Sequence, residues 1–246
     1  PLPVAENWFE ISSYSDDITL IFEPHVIPDI RCNMWHVRGR ERDLLFDSGM
    51  GVVSLKRHVP LVTEKPLLCV ASHSHFDHVG GHHEFDTRLI HATEAEILTT
   101  PNRRNTVIAD YVTAEIFTAA PFSGFDVDDY AIRAAPPTRL VGDGDILDLG
   151  DRQFDVLHLL AIAGLIALWE AATATLLSGD VVYDGPLFDT LYHSVPQDYA
   201  VSMERLRTFK VETVHGGHWA SFGHARFIKL IAQYLEGIRK PGCPAK

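Results

Sequence analysis

The stretch "SHSHFDHVGGHH" (residues 72–83) holds five histidines and an aspartate in twelve positions, directly after the apolar run "PLLCVA" (66–71). The run reads as a buried strand. Just past a strand end, residues two apart still point the same way while the backbone stays extended, so His73 and His75 can converge on one point. Asp77 and His78 follow as the chain turns toward Val79-Gly80-Gly81, where glycine permits a sharp change of direction, and they can face a second point nearby. Imidazole nitrogen and carboxylate oxygen are donors that zinc, iron and manganese accept, and the cluster contains no cysteine. The spacing differs from the helical HExxH pattern, whose histidines sit four apart on one face. A surface loop is the plainer reading of any single histidine, but it leaves four ligand-type residues behind a buried strand unexplained. His82 and His83 read differently, as surface or outer-layer residues at a helix start.

The rest of the chain sets limits. Its 246 residues suffice for one large α/β domain or two small ones, and 46% hydrophobic with 22% charged residues is ordinary for a substantial core. A formal net charge of −12 argues against a nucleic-acid partner. Cys32, Cys69 and Cys243 are widely spaced and odd in number, with no CxxC pair, which suits a reducing compartment better than a disulfide framework. The start "PLPVAENWFE" lacks a signal-peptide pattern, although a processed terminus would look the same. The longest apolar run, "LLAIAGLIALW" (159–169), is shorter than the roughly 18 residues a membrane span needs. The expectation is a soluble cytoplasmic protein with a small-molecule substrate and no membrane partner. The oligomeric state stays open, a homodimer included.

Strand-like runs are "ITLIF" (18–22), "NMWHV" (33–37) and "DLLFD" (43–47), then "TRLV", "QFDVLHLL", "LIALWEA" and "ATLLSGD" between 138 and 180. "TEAEILTT" (93–100) predicts a short helix with Thr93 as N-cap, and "AAPFSGFDVDDY" (119–130) a surface or lid loop. "PQDYAVSMERLRTF" (196–209) has helical spacing, and "VETVHGG" (211–217) reads as a strand entering a turn. In the final segment Phe227, Leu230, Ile231, Tyr234, Leu235 and Ile238 repeat on one face, as in an amphipathic helix. Strands interspersed with helices predict a layered α/β domain.

His73-Ser74-His75-Phe76-Asp77-His78 resembles the H-x-H-x-D-H motif of the metallo-β-lactamase superfamily, and other pieces agree in order. "LLFDSGMG" resembles the first motif, whose aspartate, here Asp47, buttresses the metal loop. "LLSGD" matches the strand whose terminal aspartate, here Asp180, bridges two metals, and "VHGGHW" the turn whose histidine, here His218, completes the second site. The likeness runs from about residue 18 to 235. It implies an α/β fold of four αββα layers, one domain over 1–246, with the metals at one edge of the two sheets. The metal ligands it implies are His73, His75, Asp77, His78, Asp180 and His218. His215 is the alternative to His218, which is preferred because two preceding glycines let the backbone come close to the metal.

One motif is missing. The family's third histidine should lie between "FDVLH" and "IALWE", where this chain reads "LLAIAGL" (159–165). Either His158 substitutes, or the first position is weak or empty, or the residues written for this run are not the native ones; read as it stands, the run is a plain buried strand. The implied cofactors are two divalent ions, zinc foremost with manganese and iron as alternatives, or a single ion. Ions bridged by Asp180 and a water would lower that water's pKa toward neutrality and give a hydroxide nucleophile. Asp77 would orient it or pass a proton to the leaving group. Tyr183, in "DVVYD", has the D-x-x-Y spacing of metallo-lactonases of the family and is a candidate oxyanion donor, with core packing as its other reading. His193 either lines the pocket or sits on the surface. The expected function is metal-dependent hydrolysis of an ester, thioester, lactone or related small molecule. The alternatives are a metal-poor binding protein and a mononuclear iron redox enzyme. Nothing here signals export, so β-lactam hydrolysis is not implied.

Overall fold

Most strand residues are buried on both faces of their sheet, so successive side chains pack into opposite layers. The computed structural model describes residues 2–160, 164–189 and 194–239. His193, Cys243 and the centre of the missing-motif run (161–163) lie outside the described residues. The first sheet has seven strands in sequence order: β1 (Glu10–Ser13), β2 (Ile18–Phe22), β3 (Met34–Val37), β4 (Asp43–Phe46), β5 (Leu67–Val70), β6 (Arg88–His91) and β7 (Arg139–Val141). They are antiparallel as far as β4 and parallel from β4 to β7. Helices α1 (Leu55–His58), α2 (Phe76–Val79), α3 (Ala95–Thr99) and α4 (Ile108–Tyr111) fall in the connections.

The second sheet contains β8 (Ile146–Asp148), β9 (Gln153–His158), β10 (Ile166–Glu170), β11 (Thr175–Gly179), β12 (Thr213–Gly216) and β13 (Phe222–Gly223), in the spatial order β13-β12-β11-β10-β9-β8. Helix α5 (Pro196–Leu206) carries the chain from β11 to β12, which pair in parallel, and α6 (His224–Arg239) ends the described chain.

Side chains of alternate parity separate the layers. Trp35, Val37, Leu44 and Phe46 of the first sheet meet Val156, Ile166, Leu168 and Leu177 of the second. Their neighbours Met34, Leu45 and Cys69 face the other way and pack with Leu55 and Val59 at α1. On the far side, Leu176 and Val214 pack against Tyr199 and Met203 of α5 and Phe227 and Ile231 of α6. The result is the helix–sheet–sheet–helix sandwich expected from the resemblance. No described helix is long and apolar enough to cross a membrane.

One local expectation is corrected. Thr93 does not cap a helix: it lies in a 3₁₀ turn, and α3 starts at Ala95. β6 runs up to His91, whose ring Nδ1 accepts the Thr93 N–H at 3.4 Å and so takes the capping role. The 119–130 segment is exposed or half-buried over 121–129, as expected of a surface loop, and is pinned at its ends. Val4 bridges to Ala120, and the buried Tyr130 hydroxyl donates to the Met50 carbonyl at 2.8 Å.

Candidate metal centre

Parallel strands end on the same edge, so β4 and β5 present Asp47 and His73 together, while β11 and β12 present Asp180 and His218. The two sheets are stitched at that edge. Ile166 N–H donates to the Ser72 carbonyl at 2.8 Å, and Asn33 N–H to the Gly217 carbonyl at 2.7 Å. Residues more than a hundred positions apart therefore converge.

The donor atoms lie close together. His78 Nε2 is 3.3 Å from Asp77 Oδ2 and 3.5 Å from Asp180 Oδ2. His218 Nε2 is 3.4 Å from Asp77 Oδ2 and 3.5 Å from Asp180 Oδ1. His73 Nε2 is 3.8 Å from Asp180 Oδ2, and the His73 and His75 rings stand 4.3 Å apart. Ligands about 2.0–2.2 Å from a tetrahedral zinc lie about 3.4 Å from one another, which is the spacing of Asp77, His78, Asp180 and His218. Moreover, His73 Nε2, His78 Nε2 and Asp180 Oδ1 are buried with no hydrogen-bond partner. Such orphans are costly unless something binds them, and a divalent cation fits this donor set.

The surroundings tune the donors. Burial, with His78 and His75 nearby, pushes the His73 imidazole well below its ordinary 6.5; burial takes His75 down to about 4. Both rings are then neutral, the form that ligates metal. Burial alone would raise the Asp180 and Asp77 carboxyls, but the facing His78 and His218 rings outweigh it and hold both below the usual carboxylate range. His78 is raised despite burial, because Asp180, Asp77 and Asp47 surround it.

Asp47 anchors the loop. Its Oδ1 accepts Ser72 N–H at 2.7 Å, and its Oδ2 accepts Ser72 Oγ–H at 2.8 Å and faces His78 Nδ1 at 2.9 Å. That leaves His78 Nε2 for the site and fixes the ring, the role the resemblance gave this aspartate. Of the two C-terminal histidines, the structure brings His218 into the cluster. His215 bonds Ser221 Oγ at 2.7 Å and packs 4.4 Å from Trp35. His82 is fully buried rather than at the surface, with Nδ1 2.7 Å from Ser48 Oγ, while His83 is half-buried. His158 stacks on His91 at 3.8 Å and belongs to no described cluster of metal-type donors. The Tyr183 ring lies 5.4 Å from His218, and its hydroxyl donates to the Pro186 carbonyl.

Three further residues support the site. The Cys32 thiol is buried 3.5 Å from His78 Nδ1. Asn33 Nδ2 donates to the carbonyls of Gly216 (3.0 Å) and Trp219 (2.7 Å), framing His218. The buried Glu94 carboxylate accepts Ser74 N–H at 3.1 Å and the Ser74 hydroxyl, gripping the residue between His73 and His75. No motif marks these residues; only their tertiary approach reveals them.

The model of the Metallo-beta-lactamase superfamily matches residues 27–218, and the chain belongs to that superfamily. It is similar to "Acyl-coenzyme A thioesterase MBLAC2" of Bos taurus (36% identity) and of Homo sapiens (35%), each alignment covering 94% of this chain and 88% of the relative. Among solved structures, a metallo-beta-lactamase family protein from Thermus thermophilus matches with a TM-score of 0.68 at 18% identity, over 91% of this chain and 79% of that one. A metallo-beta-lactamase from Pontibacter korlensis matches with 0.67 at 14%, over 94% and 99%. These last two share the fold. Family and relatives together make the chain a metal-dependent hydrolase.

Proposed function

We propose that this chain hydrolyses thioesters of the acyl-coenzyme A type with a divalent ion, zinc foremost, held by Asp77, His78, Asp180 and His218. The carrying observation is the spacing of those donors, 3.3–3.5 Å between facing atoms, with two of their buried atoms orphaned. The thioester comes from the two thioesterase relatives. His73, His75 and Asp180 form the second position. It lacks the family's third histidine among the described residues, and His158 faces His91 instead, so this position is the weaker one. We read 1–246 as one domain, because the donors come from both sheets.

A bound ion supplies Lewis acidity toward the thioester carbonyl and acidifies water. The chain's own residues do the rest. Asp77, with Oδ2 turned to His78 and His218, takes the water's proton and delivers it to the departing sulfur. Carbon–sulfur cleavage and carbon–oxygen formation then give a carboxylic acid and a thiol. Tyr183 packs beside His218 and reaches a developing oxyanion once its hydroxyl leaves Pro186. Tyr183→Phe should lower kcat by about tenfold with metal retained; an unchanged rate would assign it to packing.

The test combines metal analysis with thiol release from an acyl-coenzyme A. One tightly held equivalent per chain, its loss in His218→Ala, and metal-dependent thiol release are expected. Thiol release unaffected by chelation, or in His218→Ala, would overturn the reading.

A further inference from the structure

A cavity of about 500 Å³ is lined by Gly51, Val52, Ser54, Lys56, Arg57, His83, Glu84 and Arg133. Its charge stands out on a chain carrying −12. Elsewhere Arg38, Arg205 and Arg226, each half-buried, pair with Glu64, Asp143 and Asp184. Among the described residues, Arg57 and Arg133 make no ion pair, and Lys56 Nζ reaches only the Glu84 main-chain carbonyl, at 3.3 Å. The single carboxylate of the wall, Glu84, is already engaged: it accepts Ser54 Oγ–H at 2.6 Å, Lys56 N–H at 2.9 Å and Leu55 N–H at 3.1 Å. It thereby caps the start of α1 and leaves the three cations to face the cavity. Three cations against one committed carboxylate favour a polyanion.

The cavity adjoins the metal loop. Gly80 N–H donates to the Gly49 carbonyl at 2.8 Å, and a methyl group built on Gly51 would lie 2.2 Å from the Gly80 carbonyl oxygen. Three residues before Arg133, the Tyr130 hydroxyl reaches both the Met50 and the Phe76 carbonyls, at 2.8 and 3.3 Å. Phe76 follows His75. The cavity wall is thus packed, through Gly51 and the Tyr130 hydroxyl, against the loop that carries the candidate metal donors.

We propose that Lys56, Arg57 and Arg133 bind the phosphate groups of the nucleotide end of an acyl-coenzyme A thioester, a reading that rests on the thioesterase function above. These cations set the preference for the coenzyme over shorter thiol carriers. The Arg57→Ala/Arg133→Ala variant, at two exposed positions, is compared with the parent on an acyl-coenzyme A and on the matching acyl-pantetheine thioester, which lacks the nucleotide. Loss of two charge-assisted contacts should raise KM for the coenzyme thioester about tenfold or more, and the preference in kcat/KM over the pantetheine thioester should shrink accordingly. Added salt should do the same to the parent. Calorimetry with coenzyme A alone is the independent arm, with about tenfold weaker binding expected in the variant. Equal KM values, or equal coenzyme A binding by parent and variant, would overturn the site while leaving thioester hydrolysis standing. A parent that cleaves neither thioester would overturn the function, and the calorimetry still decides the site: weaker binding in the variant supports it.

Discussion

Gly217 packs directly against a candidate metal donor. A methyl group built there would meet Asp180 Oδ1 at 2.3 Å and the Gly179 carbonyl carbon at 3.0 Å. Its φ is outside the left-handed region, so the requirement is space rather than backbone freedom. Gly217→Ala must displace Asp180 or break the 2.8 Å bond from Gly217 N–H to the Gly179 carbonyl. Metal affinity should fall by about 10- to 100-fold with the fold intact; chelator competition giving the parent's Kd would show that the turn yields at no cost. Glu23 is a second residue with a readable consequence. Buried, accepting Trp8 Nε1–H at 2.8 Å and Met50 N–H at 2.9 Å, its carboxyl is pushed by burial from an ordinary 4.5 up to about 7. The folded state thus holds this proton more tightly than the unfolded chain. The stabilisation is complete below about pH 4.5 and is lost as pH rises through about 7, amounting to about 3 kcal/mol at 1.36 kcal/mol per pH unit. In urea unfolding of metal-free protein, Glu23→Gln should flatten that decline. A decline as steep as the parent's would place the titration elsewhere.

Among the elements, α6 shows how far a periodic pattern carries. Phe227 and Ile231 are fully buried against the second sheet, as the spacing predicted, but Ile238 is exposed on the last turn. Ile231→Ala should therefore cost about 2–5 kcal/mol, whereas Ile238→Ala should stay within about 0.5 kcal/mol. Chemical denaturation of the pair checks this, and equal costs would mean that α6 packs through its end. The strands show the same division. β2, β4 and β5 were legible because buried apolar runs stop at turn residues. β1 has every residue exposed and exists because it pairs with β2, so its sequence "EISS" carries no signal. Within the site, the 73–78 donors were legible from local spacing. Asp180 and His218 were reached through the family resemblance, and His218 over His215 through the glycines before it. Cys32, Asn33 and Glu94 were not legible, because a lone residue acquires such a role only when packing brings it to the metal loop.

At the scale of the molecule, the site is a joint between two halves. Asp77 and His78 belong to the first sheet's connections, Asp180 and His218 to the second's. A second tie lies elsewhere: Arg152 donates through Nε to Glu170 Oε1 at 2.7 Å and through Nη1 to the Asp16 carbonyl in the turn between β1 and β2. Thr173 Oγ–H bonds the same carboxylate at 2.6 Å. With Glu170 at 2% and Arg152 at 10% exposure, removing the carboxylate leaves a nearly buried cation, and Glu170→Ala should cost about 3–5 kcal/mol. An ion held by donors from both halves binds only when the halves are docked, so it opposes that loss by mass action. At a hundredfold excess over Kd the gain is about 2.7 kcal/mol. Thermal unfolding of Glu170→Ala should accordingly shift upward on adding zinc and downward on adding chelator, and the shift should vanish when His218→Ala is introduced into the same chain. A melting temperature indifferent to zinc would mean that the two sheets meet without the ion, and that the site rides on the fold instead of holding it together.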